Sequence, residues 1–170
     1  MFISSTAAAW FLPFVLPVCL WVAYTDLSAM KIRNTAVMTL AGIYAVVGLA
    51  VVNFTDALPF PDYLWQFVHL GVMLLVGIVM NMAGMIGAGD AKFVAAAAPF
   101  IALGDVPFAL VILAACLLAG FVLHRIAKYT PIRRLAPEWE SWDKGKKFPM
   151  GLCLGMALAV YLALGITQGA

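Results

Sequence analysis

The chain alternates between long stretches without a charged residue and short polar connections. The uncharged stretches lie at 1–25, 34–55, 63–89, 106–124 and 148–170, with a shorter one at 93–104. About 20 apolar residues form a helix long enough to cross the roughly 30 Å hydrocarbon core of a bilayer. The pattern therefore predicts an all-α integral membrane protein, a single polytopic bundle of about six transmembrane helices occupying 1–170.

The predicted spans differ in length, and the fourth is the shortest. We place them near 6–25, 36–54, 63–83, 92–104, 106–124 and 149–167. With its flanks the fourth reaches only about 14 residues, or roughly 21 Å of helix, which is too short to cross upright. Either the bilayer thins locally or this helix begins below the membrane surface. In the second case the preceding turn at Gly87–Asp90 lies at membrane depth, where irregular backbone must be buried in protein or line a wet cavity.

The charges predict the orientation of these spans. In a six-span arrangement all ten Lys and Arg residues fall on one side, at positions 31, 33, 92, 125, 128, 133, 134, 144, 146 and 147. The loops on the other side carry Asp56, Asp62 and Asp105 and no basic residue. The positive-inside rule then places both termini outside and the basic loops, including 125–148, in the cytoplasm. We expect contact with membrane lipid and no nucleic-acid partner.

Two aspartates stand at the ends of predicted spans on the cytoplasmic side. Asp26 follows the first span, and Asp90 follows Gly87-Ala88-Gly89 after the third. An ionisable group at a membrane boundary is costly, which makes it a candidate functional residue. Two carboxylates within hydrogen-bonding reach titrate as a pair, so that one can take a proton from water while the other polarises a carbonyl group. The pair predicts hydrolysis of the aspartic-protease type.

Each aspartate also has a purely structural interpretation. Asp26 would be a solvated loop residue beside Lys31 and Arg33. Asp90 would be a capping residue for the fourth helix in an ordinary glycine-rich loop. Both interpretations remain open at the level of the sequence.

Three segments together resemble the type IV prepilin peptidase family. Asp26 followed by Lys31-Ile32-Arg33-Asn34 resembles the family's D-x4-K-I-P-N signature, and Gly87-Ala88-Gly89-Asp90-Ala91-Lys92 resembles its GxGDxK signature. Phe148-Pro149-Met150-Gly151 is similar to the P-x-G stretch that opens the family's last helix. The resemblance implies an aspartic endopeptidase that removes the short basic leader from prepilins and pseudopilins, at the cytoplasmic face of the bacterial inner membrane.

The resemblance also implies roles for individual residues. Asp26 and Asp90 would be the catalytic pair. The supporting residues would be Gly87, Gly89, Lys31, Asn34 and Lys92. We expect no cofactor and no metal, because no His/carboxylate cluster has the spacing of metal ligands.

Two features depart from the pattern of the larger family members. Arg33 stands where the family has proline. The chain also lacks the cysteine-bearing insert that the larger members combine with methyltransferase activity. It therefore resembles the small, peptidase-only form of tight-adherence (Flp) pilus systems, and we expect no methyltransferase domain.

Other functions remain compatible with the sequence. A small proton-coupled transporter would use the two aspartates as a proton relay. A non-catalytic pilus-assembly scaffold would keep the fold without needing either carboxylate. A preflagellin peptidase of archaeal type would share the chemistry and differ in substrate.

A few polar residues outside the motifs also invite hypotheses. The acidic residues of Pro137–Asp143 could receive a basic leader, or Trp139 and Trp142 in the same segment could be interfacial anchors. We expect His124 to be an interface residue. Asn81 is expected to hydrogen-bond across helices and to orient the loop that carries Asp90.

Overall fold

The computed structural model describes residues 1–144 and 148–170. Within these described residues six α-helices follow one another: α1 Ser5–Ala29, α2 Asn34–Phe54, α3 Phe60–Met82, α4 Ala88–Ala97, α5 Val106–Tyr129 and α6 Met150–Gln168. Short 3-10 turns lie at Ala98–Phe100, Leu103–Asp105, Pro131–Leu135 and Glu140–Trp142. The described residues contain no β-strand, and the predicted all-α bundle is confirmed.

Five of the helices are long and apolar enough to cross a membrane, and α4 is the exception. Its 10 residues make about 15 Å of helix. It begins at Ala88, earlier than the predicted start near 92, and its 3-10 extension ends at Phe100. The prediction began the span at Lys92, after the charged Asp90. An acidic side chain is in fact favourable in the first turn of a helix, so charge was a poor guide to where this helix starts.

The short helix α4 lies inside the bundle, packed mainly against α3 and also against α2 and α6. Ala91, Ala95 and Ala96 are buried. The approach to α3 is close, since a Cβ placed on Gly77 would lie 2.9 Å from the Cβ of Ala91. Small residues at such contacts let helix backbones approach one another within a membrane. Burial in protein is what allows a helix too short to span to lie there with an irregular extension.

The most extensive helix pair is formed by α1 and α6. Glycines of α6 face α1 directly: a Cβ on Gly155 would lie 2.9 Å from the carbonyl oxygen of Cys19, and one on Gly165 would lie 3.0 Å from the Cβ of Ala8. This close packing holds the end of α1 against the beginning of α6.

The outer surface of the bundle is as apolar as its interior. Large hydrophobic side chains are exposed along α3 and α5, among them Leu75, Val79, Val111 and Leu118. A water-soluble protein rarely exposes contiguous apolar surface of this extent. Together with the five long apolar helices, this surface identifies a membrane protein.

At one end of the bundle Asp105 holds the beginning of the chain. Its carboxylate accepts the N–H of Phe2 at 2.8 and 2.9 Å, the N–H of Ile3 at 2.9 Å and the hydroxyl of Tyr161 at 2.9 Å. Only 3% of Asp105 is exposed. The carboxylate therefore ties together the N-terminal segment, the start of α5 and α6.

Candidate active site

Asp26 lies at the opposite end of the bundle, in the last turn of α1, and is 6% exposed. The N–H of Gly151 donates a 2.6 Å hydrogen bond to its Oδ2. Gly151 belongs to the first turn of α6, where backbone N–H groups have no partner inside the helix. The C-terminal end of α1 carries a partial negative charge, which disfavours the Asp26 carboxylate. The N-terminus of α6 carries a partial positive charge and stabilises it. Asp26 is therefore not a solvated loop residue.

Gly151 has no room for a side chain. A Cβ at this position would lie 3.0 Å from Asp26 Oδ2 and 2.9 Å from Ile32 Cδ1. Any larger residue would have to displace the carboxylate or the isoleucine. The glycine is thus required by the close approach of α6 to Asp26.

Asp90 lies in the first turn of α4 and is partly buried. Its side chain folds back over Gly87, the N-cap residue, where a Cβ would come within 2.6 Å of Asp90 Oδ2. Burial raises the pKa of the Asp90 carboxyl above its usual range, and the Gly87 N–H lowers it in part. Asp90 does lie at the start of α4, as the capping interpretation expects. Its partial burial, however, is not expected of a capping residue in an ordinary solvent-exposed loop.

The segments that position the two carboxylates both approach Ile32. A Cβ on Gly89 would lie 3.2 Å from the Cβ of Ile32, whose side chain also reaches Gly151. Asp26 and Asp90 are close enough for their charges to repel each other. No hydrogen bond joins the two carboxylates within the described part of the chain, so the expected direct contact is not seen. Each one faces a backbone N–H instead.

Two of the predicted supporting residues contact each other. Lys92 Nζ on α4 donates to Asn34 Oδ1 at the start of α2, at 3.1 Å. Lys31 lies in the connection between α1 and α2 with its side chain exposed. The structure thus brings the residues of both sequence motifs to one end of the bundle.

The backbone at Arg33 explains why the chain tolerates a departure from proline. Arg33 has φ −75° and ψ 137°, within the range to which a proline ring restricts φ. The conformation that proline would impose is therefore already present. The substitution leaves the path of the connection unchanged.

The loop before Gly87 is oriented by Asn81, although not as predicted. Its Nδ2 donates to the carbonyl oxygen of Ile86 at 2.8 Å. The partner is the loop itself and not another helix. Ile32 and Gly151 were not among the predicted site residues, and only the similarity of Phe148–Gly151 to a family motif could have pointed to Gly151.

The loop between α5 and α6 packs against the bundle more tightly than its composition indicates. Trp142 is 3% exposed and His124 is 5% exposed, and their rings stack at 5.0 Å. The predictions of an interfacial anchor at Trp142 and an interface residue at His124 are therefore wrong. The stacked pair is covered by the protein itself, because the loop folds back onto the end of α5.

Two acidic side chains of this loop have basic partners within the loop. Arg133 pairs with Asp143 at 2.7 Å, and Lys144 pairs with Glu140 at 3.0 Å. These contacts weaken the hypothesis that the loop receives a basic leader. The described residues also contain no group of three or more His, Cys, Asp or Glu side chains arranged to hold a metal ion.

Comparison with protein families identifies the class to which this arrangement belongs. Residues 13–124 match the type IV leader peptidase family. The match covers more than half of the chain and includes both aspartates, so the chain belongs to this family of peptidases. Neither the curated proteins nor the solved structures contain a significant match. The loop after α5 and the whole of α6, including Gly151, lie beyond the matched residues.

Proposed function

We propose that this membrane peptidase is an aspartic endopeptidase with Asp26 and Asp90 as its catalytic pair. The observation that carries the proposal is their convergence: residues from α1 and α4 lie at one end of the bundle, close enough to repel. Both are withdrawn from water. Asp90 lies in the first turn of α4, and Asp26, at the end of α1, accepts a hydrogen bond from the first turn of α6. Buried like charges of this kind are characteristic of acid/base sites.

The chemistry follows from the repulsion between the two carboxylates. Two neighbouring carboxylates do not ionise together at low cost, so the pair retains one proton. The charged member takes a proton from a water molecule, and the water oxygen attacks the scissile carbonyl carbon. The protonated member polarises the carbonyl oxygen and then supplies a proton to the departing amine.

The distribution of charge supports an active site at the cytoplasmic face. Lys31, Arg33 and Lys92 share the end of the bundle with the two aspartates, and Arg125 and Lys128 lie in the last turns of α5. The aspartates Asp56, Asp62 and Asp105 belong to the other end. By the positive-inside rule the Asp26 end faces the cytoplasm and both termini lie outside.

The substrate we propose is a type IV or Flp-type prepilin, from which the enzyme removes the short basic leader. A basic peptide is attracted to a site that carries two carboxylates. Gly87 and Gly89 leave room for the Asp90 carboxylate and for Ile32, respectively, and so shape the site without contacting the peptide. The scissile bond must be extended, because a peptide bond within a helix is shielded by its own turns. Methyl transfer is not part of the proposal.

The test is cleavage of a Flp-type prepilin co-expressed with the chain, measured as leader loss by intact mass. We expect Asp26→Asn and Asp90→Asn each to reduce cleavage by about 10³-fold or more, because neither variant retains the acid/base pair. Asp62→Asn, at an exposed position near the other end of the bundle, is the matched control and should cleave normally.

Cleavage that survives both substitutions would reject the catalytic pair. If the native chain cleaves none of a panel of prepilins, and its cellular role persists without either aspartate, the protein is a non-catalytic assembly factor.

A further inference from the structure

Five aromatic side chains form a continuous row around the Asp26 end of the bundle, in the order Tyr24, Trp139, Trp142, His124 and Phe148. Tyr24 meets Trp139 edge-on at 6.2 Å, and Trp139 stacks on Trp142 at 5.7 Å. Trp142 stacks on His124 at 5.0 Å, and His124 meets Phe148 edge-on at 5.8 Å. This aromatic row crosses from α1 through the loop to α5, and from there to the segment that precedes α6.

The two ends of the aromatic row belong to the chain segments that carry Asp26 and its hydrogen-bond donor. Tyr24 is two residues before Asp26 on α1, and Phe148 is three residues before Gly151. The 3-10 turn that holds Trp142 also packs against α1. The row therefore links the end of α1, the end of α5 and the segment leading to Gly151, whose N–H donates to Asp26 Oδ2 at 2.6 Å.

The middle of the aromatic row is its most buried part. Trp142 is 3% exposed, and its indole Nε1–H donates to the carbonyl oxygen of Ala136 at 2.7 Å, which sets the orientation of the ring. His124 is 5% exposed, and neither of its ring nitrogens has a hydrogen-bond partner among the described residues. The contacts of His124 are thus made by the face and edge of the ring, as in an aromatic pair.

The family match does not account for this feature. It ends at residue 124, so that Trp139, Trp142 and Phe148 lie outside it. The loop is nevertheless ordered by its own ion pairs, Arg133–Asp143 and Lys144–Glu140. A short, internally paired loop that inserts one tryptophan between α1 and α5 is suited to holding helix ends in place.

We propose that the aromatic row is a positioning device for Asp26, with Trp142 as its principal positioning residue. Trp142 clamps the loop at 131–144 onto α5 and, through His124 and Phe148, fixes the first turn of α6. The Gly151 N–H is thereby kept on Asp26 Oδ2. The catalytic consequence rests on the proposed function, whereas the placement of Gly151 does not.

The experiment compares Trp142→Ala with Trp142→Phe, His124→Phe and Trp65→Ala in purified full-length protein. Trp142→Phe and His124→Phe keep a ring in the row. Trp65 is 59% exposed and lies on α3 near the other end of the bundle, so Trp65→Ala controls for loss of a tryptophan. The first readout is amide hydrogen exchange in the peptide covering residues 148–155. The second is kcat and KM for prepilin cleavage.

We expect exchange at Gly151 to become about tenfold faster in Trp142→Ala and to stay near the native rate in the other three variants. The kcat of Trp142→Ala should fall by about 10- to 100-fold with KM within about twofold, because a misplaced catalytic group slows the chemical step more than it weakens binding. If Trp142→Phe keeps the native exchange rate and kcat, an aromatic ring at this position is sufficient and the indole N–H is not required.

Each contrary result has a definite meaning. Unchanged exchange in Trp142→Ala overturns the clamp, whatever the effect on cleavage. Faster exchange with native kcat overturns the link to Asp26. Loss of cleavage in His124→Phe with slow exchange shows that His124 acts chemically, and this also overturns a role by stacking.

If native protein cleaves no prepilin, the proposed function fails while the exchange data still decide the clamp. Should Trp142→Ala fail to fold, Trp139→Ala breaks the row at a partly exposed ring and is read in the same way.

Discussion

Two buried aspartates lie at opposite ends of this bundle, and their surroundings differ in one respect. Asp105 accepts N–H groups from Phe2 and Ile3 and the hydroxyl of Tyr161. Among the described residues, Asp26 has one hydrogen bond, from the N–H of Gly151 at 2.6 Å, and the N–H of Leu152 lies next to it. A carboxylate offers about four acceptor sites, so Asp105 is filled by its three donors, whereas Asp26 retains more acceptor capacity. On the proposed function, this spare capacity is what would let Asp26 bind water or substrate.

The largest expected effect separates the two aspartates by activity. Asp26→Asn should lower prepilin cleavage by about 10³-fold or more, while Asp105→Asn should leave cleavage per folded molecule within about twofold. The reason is that the acceptor sites of Asp105 are occupied by its three donors, whereas the proposed function assigns the reaction to Asp26. Both variants are assayed on one substrate, with the folded fraction measured by size exclusion. Equal losses in the two variants would contradict the distinction.

The second effect concerns stability, and here the larger loss is expected for Asp105 and the smaller one for Asp26. Asp105→Ala leaves the N–H groups of Phe2 and Ile3 and the hydroxyl of Tyr161 without their acceptor, which should cost about 3 kcal/mol. Asp26→Ala strands one N–H and should cost less. Thermal unfolding in detergent measures both, and Asp56→Ala, at an exposed position, is the control. A larger loss of stability at Asp26 would argue against Asp105 as the structural anchor.

Gly151→Ala tests the donor of Asp26 directly. The added Cβ would meet Asp26 Oδ2 and Ile32 Cδ1, and a displacement of this kind should lower kcat by about 10²-fold. Gly42→Ala on α2 is the matched control, because a Cβ there meets nothing within 4 Å. Native kcat in Gly151→Ala would show that α6 can move away without consequence for the site.

The pH dependence of stability tests the burial of Asp90. Its pKa is raised by burial, so the folded protein binds the proton more tightly than the unfolded chain does. The corresponding stability is fully present below the unfolded pKa of about 4 and is lost as pH rises through the folded value. At neutral pH Asp90→Asn should therefore unfold at a higher temperature than native protein, and the gain should shrink towards pH 4. A gain that grows on acidification would have the wrong sign.

The smallest expected effect concerns the residue at which the chain departs from its family. Arg33→Pro should raise stability by about 0.5 kcal/mol, because φ is already −75° and the ring restricts only the unfolded chain. Cleavage should not change. Arg33→Ala removes the same charge without restricting φ and serves as the control. A fall in stability for the proline variant alone would indicate that the N–H of Arg33 has a partner.

Much of the architecture could be predicted because local composition decides which segments are stable within a bilayer. A run of about 20 apolar residues is stable in hydrocarbon only as a helix with all its backbone groups paired, whatever its neighbours are. The five long helices follow from this constraint. The convergence of Asp26 and Asp90 at one end also follows, because two helices, α2 and α3, separate them along the chain.

The sequence by itself thus determined the all-α bundle, the end at which the two aspartates meet and the peptidase motifs. Tertiary structure decided that α4 begins at Ala88 inside the bundle, that Gly151 donates to Asp26, and that Trp142 is buried on His124. It also decided that Asp105 is saturated with donors. The physical reason is the sequence distance between the interacting residues. Transfer of a helix into a membrane depends on residues that are neighbours in the chain. The hydrogen bonds and ring stacking join residues that are distant in sequence and that only helix packing brings together.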